Sequence, residues 1–462
     1  MTLIKSISGI RGTIGGQPDE GLTPLDIVKF GSAFARWIKE KSGKARPTIV
    51  IGRDARTSGP MVHSLIVGAL QGSGVDVLDL GLSTTPTVEV AVSAENAQAG
   101  IILTASHNPK EWNALKLLNA KGEFISAEDG KELLNMIESA AYDYVGVDDL
   151  GTLRQDNGWI DRHIEAVLDM EGVDVQAITN AKLKIVCDCV NSTGGISIPL
   201  ILRRLGVSEV VELYCTPNGD FPHNPEPLAE NLTEIAEKVR LTGAHLGVVV
   251  DPDVDRLALI CEDGSMFGEE YTLVAVADHV LTYSPGPTVS NLSSSRALRD
   301  VTEKHGQSYY ASAVGEVNVV NKMKEVGATI GGEGNGGIID PALHYGRDAL
   351  LGVALFLTHY VKKGMSMTAL KTSYPSYFMS KNKIQLTPDI DVDAILANMR
   401  DRYAHEEVSV IDGVKIDFRD EWVHLRKSNT EPIIRIYTES KTQEGANALA
   451  ERVMDEIRSV TA

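Results

Sequence analysis

The chain has 462 residues, with 44 Lys+Arg against 63 Asp+Glu and a formal net charge of -19. At roughly 100–200 residues per domain, that length predicts three or four domains. A hydrophobic fraction of 43% is too high for a disordered chain, and the acidic balance argues against a nucleic-acid partner, whose phosphates would meet net repulsion. A small anionic ligand is compatible with this charge if basic groups gather in a cleft. No apolar run approaches the roughly 20 residues needed to span a bilayer. Residues 1–11 lack the apolar core of a signal peptide. A cytoplasmic protein without a membrane partner is expected. Of the four cysteines, Cys187 and Cys189 lie two apart in an apolar, strand-like run. That spacing suits neither a zinc knuckle nor a redox pair, so they are expected as reduced core residues.

Thr23-Pro24-x-Asp26 starts a helix with an N-cap hydroxyl, a proline in the first turn and an early acid. Ile27, Phe30, Phe34, Trp37 and Ile38 repeat at helical spacing, and Gly43 lies just beyond. A β-branched run over 48–51, an amphipathic stretch over 60–70 and strand patterns over 75–80 and 100–104 give a βαβ rhythm. Residues 141–158, rich in Asp and Gly, read as a linker. The rhythm restarts with strands over 183–190, 210–214 and 246–250, a turn over 191–195 feeding a helix to about 205, and a helix over 231–240. A third stretch, 257–363, repeats this grammar, with a helix over 294–304. The end of the chain differs: strands over 413–418 and 422–425, a third carrying Ile434 and Ile436, and a helix over 442–459 predict a separate α+β domain.

Four polar or glycine-rich loops each follow a strand-like run, where open α/β sheets place their ligands. In Thr104-Ala105-Ser106-His107-Asn108-Pro109 the serine is positioned as a nucleophile or phosphate carrier, against the plain alternative of a capped turn. Lys116, just downstream, could polarise or protonate a sugar oxygen. Asp251-Pro252-Asp253-Val254-Asp255-Arg256 presents three carboxylates at alternate positions, which repel one another without a cation, and Mg²⁺ fits best. An EF-hand would also begin this way, but Arg256 stands where glycine is required and 257–261 reads as a strand. A haloacid-dehalogenase-type phosphatase would make Asp251 the nucleophile. Gly331-Gly332-Glu333-Gly334-Asn335-Gly336-Gly337 lacks the lysine of a P-loop, and its carboxylate and amide suit sugar hydroxyls. Arg426-Lys427-Ser428-Asn429-Thr430-Glu431-Pro432, with Arg435 following, forms an anion site suited to phosphate.

Taken in this order, the loops resemble those of the α-D-phosphohexomutase superfamily over essentially the whole chain. Ser8-Gly9-Ile10-Arg11-Gly12, Gly52-Arg53-Asp54 and Asn113-Ala114-Leu115-Lys116 add to the likeness. The resemblance implies three similar mixed-sheet α/β domains and a C-terminal α+β domain like the TATA-binding-protein fold, around a central cleft. Expected boundaries are 1–150, 151–256, 257–370 and 371–462, with one loop in each. It implies a phosphoserine at Ser106 and Mg²⁺ held by Asp251, Asp253, Asp255 and the serine phosphate. Arg11, His107 and Lys116 match positions near the transferred group. Arg256, Glu333, Asn335, Arg426, Ser428, Asn429, Thr430 and Arg435 match substrate-binding positions. The implied reaction interconverts hexose 6-phosphate and hexose 1-phosphate through a hexose 1,6-bisphosphate, in a monomer or homodimer. Glucosamine phosphate is the leading sugar, ahead of mannose and glucose phosphates. The rival readings are an aspartate-based sugar phosphatase and a non-catalytic sugar-phosphate binder. Two departures stand out: many relatives carry Ser at position 335 and His at 337, and glycines where this chain has Pro252 and Val254.

Overall fold

The computed structural model describes residues 1–6, 9–385, 391–427 and 433–461. They fall into two compact units, Met1–His279 with Asn335–Leu370, and Val280–Gly334 with Lys371–Ala462.

Thr23 caps the first helix, Pro24–Ser42, as its sequence predicts. Its side chain accepts from the Asp26 amide while the Asp26 carboxylate accepts from the Thr23 amide at 3.0 Å. Gly43 closes the helix at φ 65, a left-handed conformation that glycine adopts without steric cost.

One strand plan recurs along the chain. Thr48–Arg53 is flanked in parallel by Asp76–Leu82 and Ala99–Leu103, and Trp112–Leu118 pairs antiparallel with Ala99–Leu103. Lys184–Asp188 is flanked in parallel by Glu209–Leu213 and Leu246–Val250, and Leu257–Cys261 pairs antiparallel with Leu246–Val250. Thr288–Asn291 is flanked in parallel by Tyr309–Ser312 and Ile330–Glu333, after which the chain runs to Gly337–Ile339. The Ser106, Asp251 and Glu333 loops therefore occupy the same station of the plan, after its third strand. No sequence repeat of fixed period marks this, because the plan is conveyed by strand order.

Two sequence expectations shift. The stretch read as a linker contains Leu153–Gln155, which pairs in parallel with Asp76–Leu82 as an edge of the first sheet. Its three residues are too few to show alternation. Leu257–Cys261, expected to open the third domain, belongs to the second sheet because the tight turn Asp251–Arg256 folds it back onto Leu246–Val250.

The first sheet is buried on both faces, as its continuous apolar strands require. Ile49, Ile51, Ile101 and Leu103 join the core under the helices Pro24–Ser42 and Gly59–Gly72. Their neighbours Val50 and Ile102 point the other way, to a core with Val88, Val92 and Trp159.

The C-terminal domain is an antiparallel five-stranded sheet in the order Phe378–Gln385, Ile433–Ser440, Trp422–Lys427, Val414–Asp417 and Glu407–Ser409. Gln443–Thr461 and Val392–Arg402 pack apolar residues against it. The strand Phe378–Gln385 and the helix Val392–Arg402 went unread, since the strand carries Ser, Lys, Asn and Gln at an edge. Within this unit Arg296 donates to Asp417 at 2.9 Å and to the carbonyls of Phe418, Arg419 and Glu421. Among the described residues no helix is long and apolar enough to cross a membrane.

Candidate active site

Ser106 follows the buried strand Ala99–Leu103 and sits at φ 49, an uncommon conformation for a residue with a side chain. A buried scaffold holds it there. Thr104 Oγ1 accepts from the Ser106 amide at 2.9 Å and donates to Asp54 at 2.7 Å. Asp54 pairs with Arg56 Nε at 2.9 Å, and the Arg56 guanidinium donates to the carbonyls of Ser106, Asn108, Pro109 and Trp112 at 2.5–3.0 Å. Arg11, exposed on its strand, reaches Asn108 Oδ1 at 3.2 Å. A cavity of about 130 Å³ lies beside Ser106, bounded by Gly9–Arg11 and Ala114–Lys116.

The Ser106 hydroxyl donates to Asp251 Oδ2 at 2.7 Å. Asp251, Asp253 and Asp255 are fully buried, and one oxygen from each lies within 4.8 Å of the others. Val254 takes φ 63 between them, which turns the acids to one side. Asp251 Oδ1 accepts the amides of Asp255 and Arg256 at 3.2 Å each. Asp253 Oδ2 accepts from Thr85 and from Lys116 at 2.6 Å each, and Asp255 Oδ2 from Arg347 at 2.7 Å and Lys116 at 3.3 Å. Asp253 Oδ1 and Asp255 Oδ1 are buried without a hydrogen-bond partner. Buried carboxylate oxygens left this way are costly, and a hard cation ligated by oxygen would satisfy both. The residues present therefore fit a divalent cation of the Mg²⁺ type.

Electrostatics divides the acids. Burial, then the charges of Asp255 and Asp253, pushes the Asp251 carboxyl well above its ordinary range. Burial also works against Asp255, but Arg347, Lys116 and Arg256 outweigh it and hold that carboxyl low. Burial would lower the Lys116 ammonium, yet Asp253 and Asp255 more than reverse this and raise it. His107, with Nδ1 3.3 Å from Ser106 Oγ, is lowered to about 3 by burial and then by Arg256, so its imidazole is neutral. Arg256 is mostly buried, with Nη1 3.9 Å from Glu226.

Glu333 and Asn335, read together from the sequence, belong to different units. Glu333 Oε1 accepts from Asn291 at 3.0 Å and from the Gly315 amide at 3.2 Å. Its unit also brings in Arg426, which pairs with Asp412 at 2.8 Å while Asp412 accepts the Val314 amide at 3.0 Å. Thus the backbone at 314–315 links the carboxylate of one loop to the guanidinium of another. Arg435 lies directly opposite Arg426 on the neighbouring strand. Ser428, Asn429 and Thr430, like Ser8, lie outside the described residues. In the other unit, Asn335 Oδ1 accepts the Gly337 amide at 3.2 Å. Gly336 takes φ 84 with Leu257 O only 2.2 Å from where a Cβ would stand, so only glycine fits.

Models of the four phosphoglucomutase/phosphomannomutase domains match the chain in order: α/β/α domains I, II and III at 3–143, 161–264 and 268–377, and the C-terminal domain at 384–456. The chain belongs to the phosphoglucomutase/phosphomannomutase family. It is a phosphohexomutase, an isomerase. A phosphoglucomutase/phosphomannomutase of Thermococcus kodakarensis is 36% identical, over 95% of this chain and 96% of its own length. A probable phosphoglucosamine mutase of Methanopyrus kandleri is 32% identical, over 98% and 97%. The crystal structure of a phosphoglucomutase/phosphomannomutase family protein from Burkholderia thailandensis superposes with a TM-score of 0.84 at 25% identity, covering 99% of this chain and 97% of that one.

The sequence of this phosphohexomutase gave no reason to single out Arg56, Thr85, Arg347 or Asp412. Each acts on a loop far from it in the chain. Asp54 alone had a signal, as the polar end of an apolar strand.

Proposed function

We propose that this phosphohexomutase interconverts hexose 6-phosphate and hexose 1-phosphate through a phosphoserine at Ser106, with glucosamine phosphate as its preferred sugar. The observation that carries the reading is the 2.7 Å hydrogen bond from Ser106 Oγ to Asp251, one of three buried acids of which two hold an unpaired oxygen. A nucleophilic hydroxyl is thereby joined to a cation-ready site. Mg²⁺ held by Asp251, Asp253, Asp255 and the serine phosphate would offset charge on the transferring group.

In the forward half-reaction the free sugar hydroxyl attacks the phosphorus, the bond to Ser106 Oγ breaks, and the bisphosphate forms. The raised Lys116 ammonium supplies a fixed counter-charge to the transferring group, and His107 Nδ1, 3.3 Å from Ser106 Oγ, is a neutral hydrogen-bond partner for the serine oxygen. Arg11 steadies the Ser106 loop through Asn108. Glu333 and Asn335 read sugar hydroxyls, while Arg256, Arg426, Ser428, Asn429, Thr430 and Arg435 take the other phosphate. The bisphosphate turns end for end and returns its second phosphate to Ser106, so this anion site accepts either end of the sugar. An aspartate-based phosphatase is disfavoured because Asp251 is raised and already accepts the serine hydroxyl.

Ser106→Ala is expected to abolish turnover with the fold intact, and near-normal turnover would overturn the reading. The sugar is tested by comparing kcat/KM for glucosamine, mannose and glucose 1-phosphates. A preference of about a hundredfold, near 2.7 kcal/mol, supports the glucosamine assignment. Similar values on all three would make the protein a broad hexose mutase.

A further inference from the structure

Cys187 and Cys189 read from sequence as packing residues, but the fold brings a third thiol to them. Cys187 lies on the strand Lys184–Asp188, and Cys215 follows the adjacent parallel strand Glu209–Leu213. The Cys187 and Cys215 sulfurs are 3.8 Å apart, and all three Sγ atoms lie within 4.8 Å of one another. Cys187 and Cys189 are buried and Cys215 is partly exposed, so the cluster opens on one side.

The backbone around the cluster is unusual. Val190, Asn191 and Tyr214 take φ values of 46, 52 and 52, and such a conformation is a true outlier for a β-branched valine. These turns end the two strands and direct Cys189 and Cys215 back towards Cys187. The helix Gly194–Arg204 begins against them without side-chain cover: a Cβ on Gly194 would stand 3.4 Å from Cys189 Sγ, and one on Gly195 2.2 Å from the Cys215 carbonyl oxygen.

From this geometry we propose that Cys187, Cys189 and Cys215 form a binding site for a thiophilic divalent cation of the zinc class, separate from the acidic triad. A tetrahedral ion with metal–sulfur bonds of about 2.3 Å separates its sulfurs by about 3.8 Å, the spacing seen between Cys187 and Cys215. Three sulfurs select against hard Mg²⁺, just as the oxygen-only acidic triad selects against soft ions. Water entering beside Cys215 completes the fourth position, and binding displaces to solvent whatever protons the thiols carry. The ion would tie the end of Lys184–Asp188, which leads into Ser192 and Thr193, to the end of Glu209–Leu213, and the Ser192 and Thr193 hydroxyls donate to Pro252 O at 2.7 and 2.9 Å. Occupancy would thus bear on the acidic loop from behind.

The test adds Cd²⁺ to the fully reduced protein in excess Mg²⁺ and records the ultraviolet thiolate-to-cadmium charge-transfer band, which carboxylates cannot produce. One equivalent should saturate the band and raise the melting temperature. Cys187→Ser and Cys215→Ala should each lower the band by about a third or abolish it, and Cys261→Ser should leave it unchanged. If Cys187→Ser fails to fold, the partly exposed Cys215 decides. No band with four titratable thiols, a band unaltered in Cys215→Ala, or one that needs Cys261 would each overturn the site.

Discussion

Arg56 donates to the carbonyl oxygen of Ser106 at 2.5 Å, although the two residues lie 50 apart in the sequence. The same guanidinium satisfies three more carbonyls of the loop and the carboxylate of Asp54. A lysine cannot reproduce that fork. Arg56→Lys is therefore expected to cost about 3 kcal/mol in stability, because Asp54 and several buried carbonyls lose their donor. kcat should fall about a hundredfold as the serine loses its orientation, with KM for the sugar phosphate within about threefold. Denaturant unfolding and steady-state kinetics on the same preparation check both, and a fully active variant would deny Arg56 its positioning role.

The raised carboxyl of Asp251 predicts how pH and the cation act together. Between the unfolded carboxyl value and this higher one, the native state holds more protons than the unfolded state. Stability without a divalent cation must then fall as pH rises through that interval, by up to about 1.4 kcal/mol per unit for one group. Mg²⁺ should flatten the decline, since it favours the ionised form. Asp251→Asn should remove most of the decline and melt higher than the parent in chelator, while losing turnover by a hundredfold or more. Melting curves from pH 5 to 8, with chelator and with Mg²⁺, give the answer. Identical pH profiles for parent and variant would contradict the assignment.

A second buried network titrates in the opposite part of the scale. His344 lies between Glu89 at 3.3 Å and Asp348 at 3.2 Å, and Asp348 also pairs with His163 at 2.9 Å. Burial disfavours the imidazolium, but Asp348 and Glu89 outweigh it and raise His344 to about 10. Its contribution is complete below the ordinary histidine value near 6.5 and is lost as pH rises towards 10, again at about 1.4 kcal/mol per unit. His344→Gln should cost about 3 kcal/mol at pH 7 and make stability flatter between pH 7 and 10. An unchanged slope in urea midpoints across that range would rule out the charged form.

The strand-to-loop rhythm, the loops after the strands at Ser106 and Asp251 and the first helix were all legible, because apolar runs, capping residues and alternating acids are local signals. Ser106 and Asp251 could be singled out separately, yet nothing local says that 2.7 Å separates them. Arg347 illustrates the limit. It reaches Asp255 across 92 residues, and its sequence surroundings mark it as an ordinary polar position before a helix. The thiol cluster failed for the same reason, since Cys215 joins Cys187 through strand pairing. Short or polar edge strands such as Leu153–Gln155 carry no period to detect.

Arg347 also gives a physical reason for the glycine at 337. A Cβ on Gly337 would stand 2.3 Å from Arg347 Cδ, and Gly337 is not in a left-handed conformation, so space alone is the constraint. Gly337→Ala should push the guanidinium off Asp255 and destabilise the protein by about 1–3 kcal/mol, the usual range for overpacking. Turnover should fall with it, because Asp255 loses the leading cation that keeps its carboxyl low. Shortening the arginine should relieve the clash but not restore the charge. Gly337→Ala combined with Arg347→Ala is therefore expected to be more stable than the sum of the single changes by about 1 kcal/mol or more, and no more active than Arg347→Ala alone. A double-mutant cycle in stability and kcat reads both terms. Strict additivity in stability would show that position 337 is glycine for a reason other than the arginine beside it.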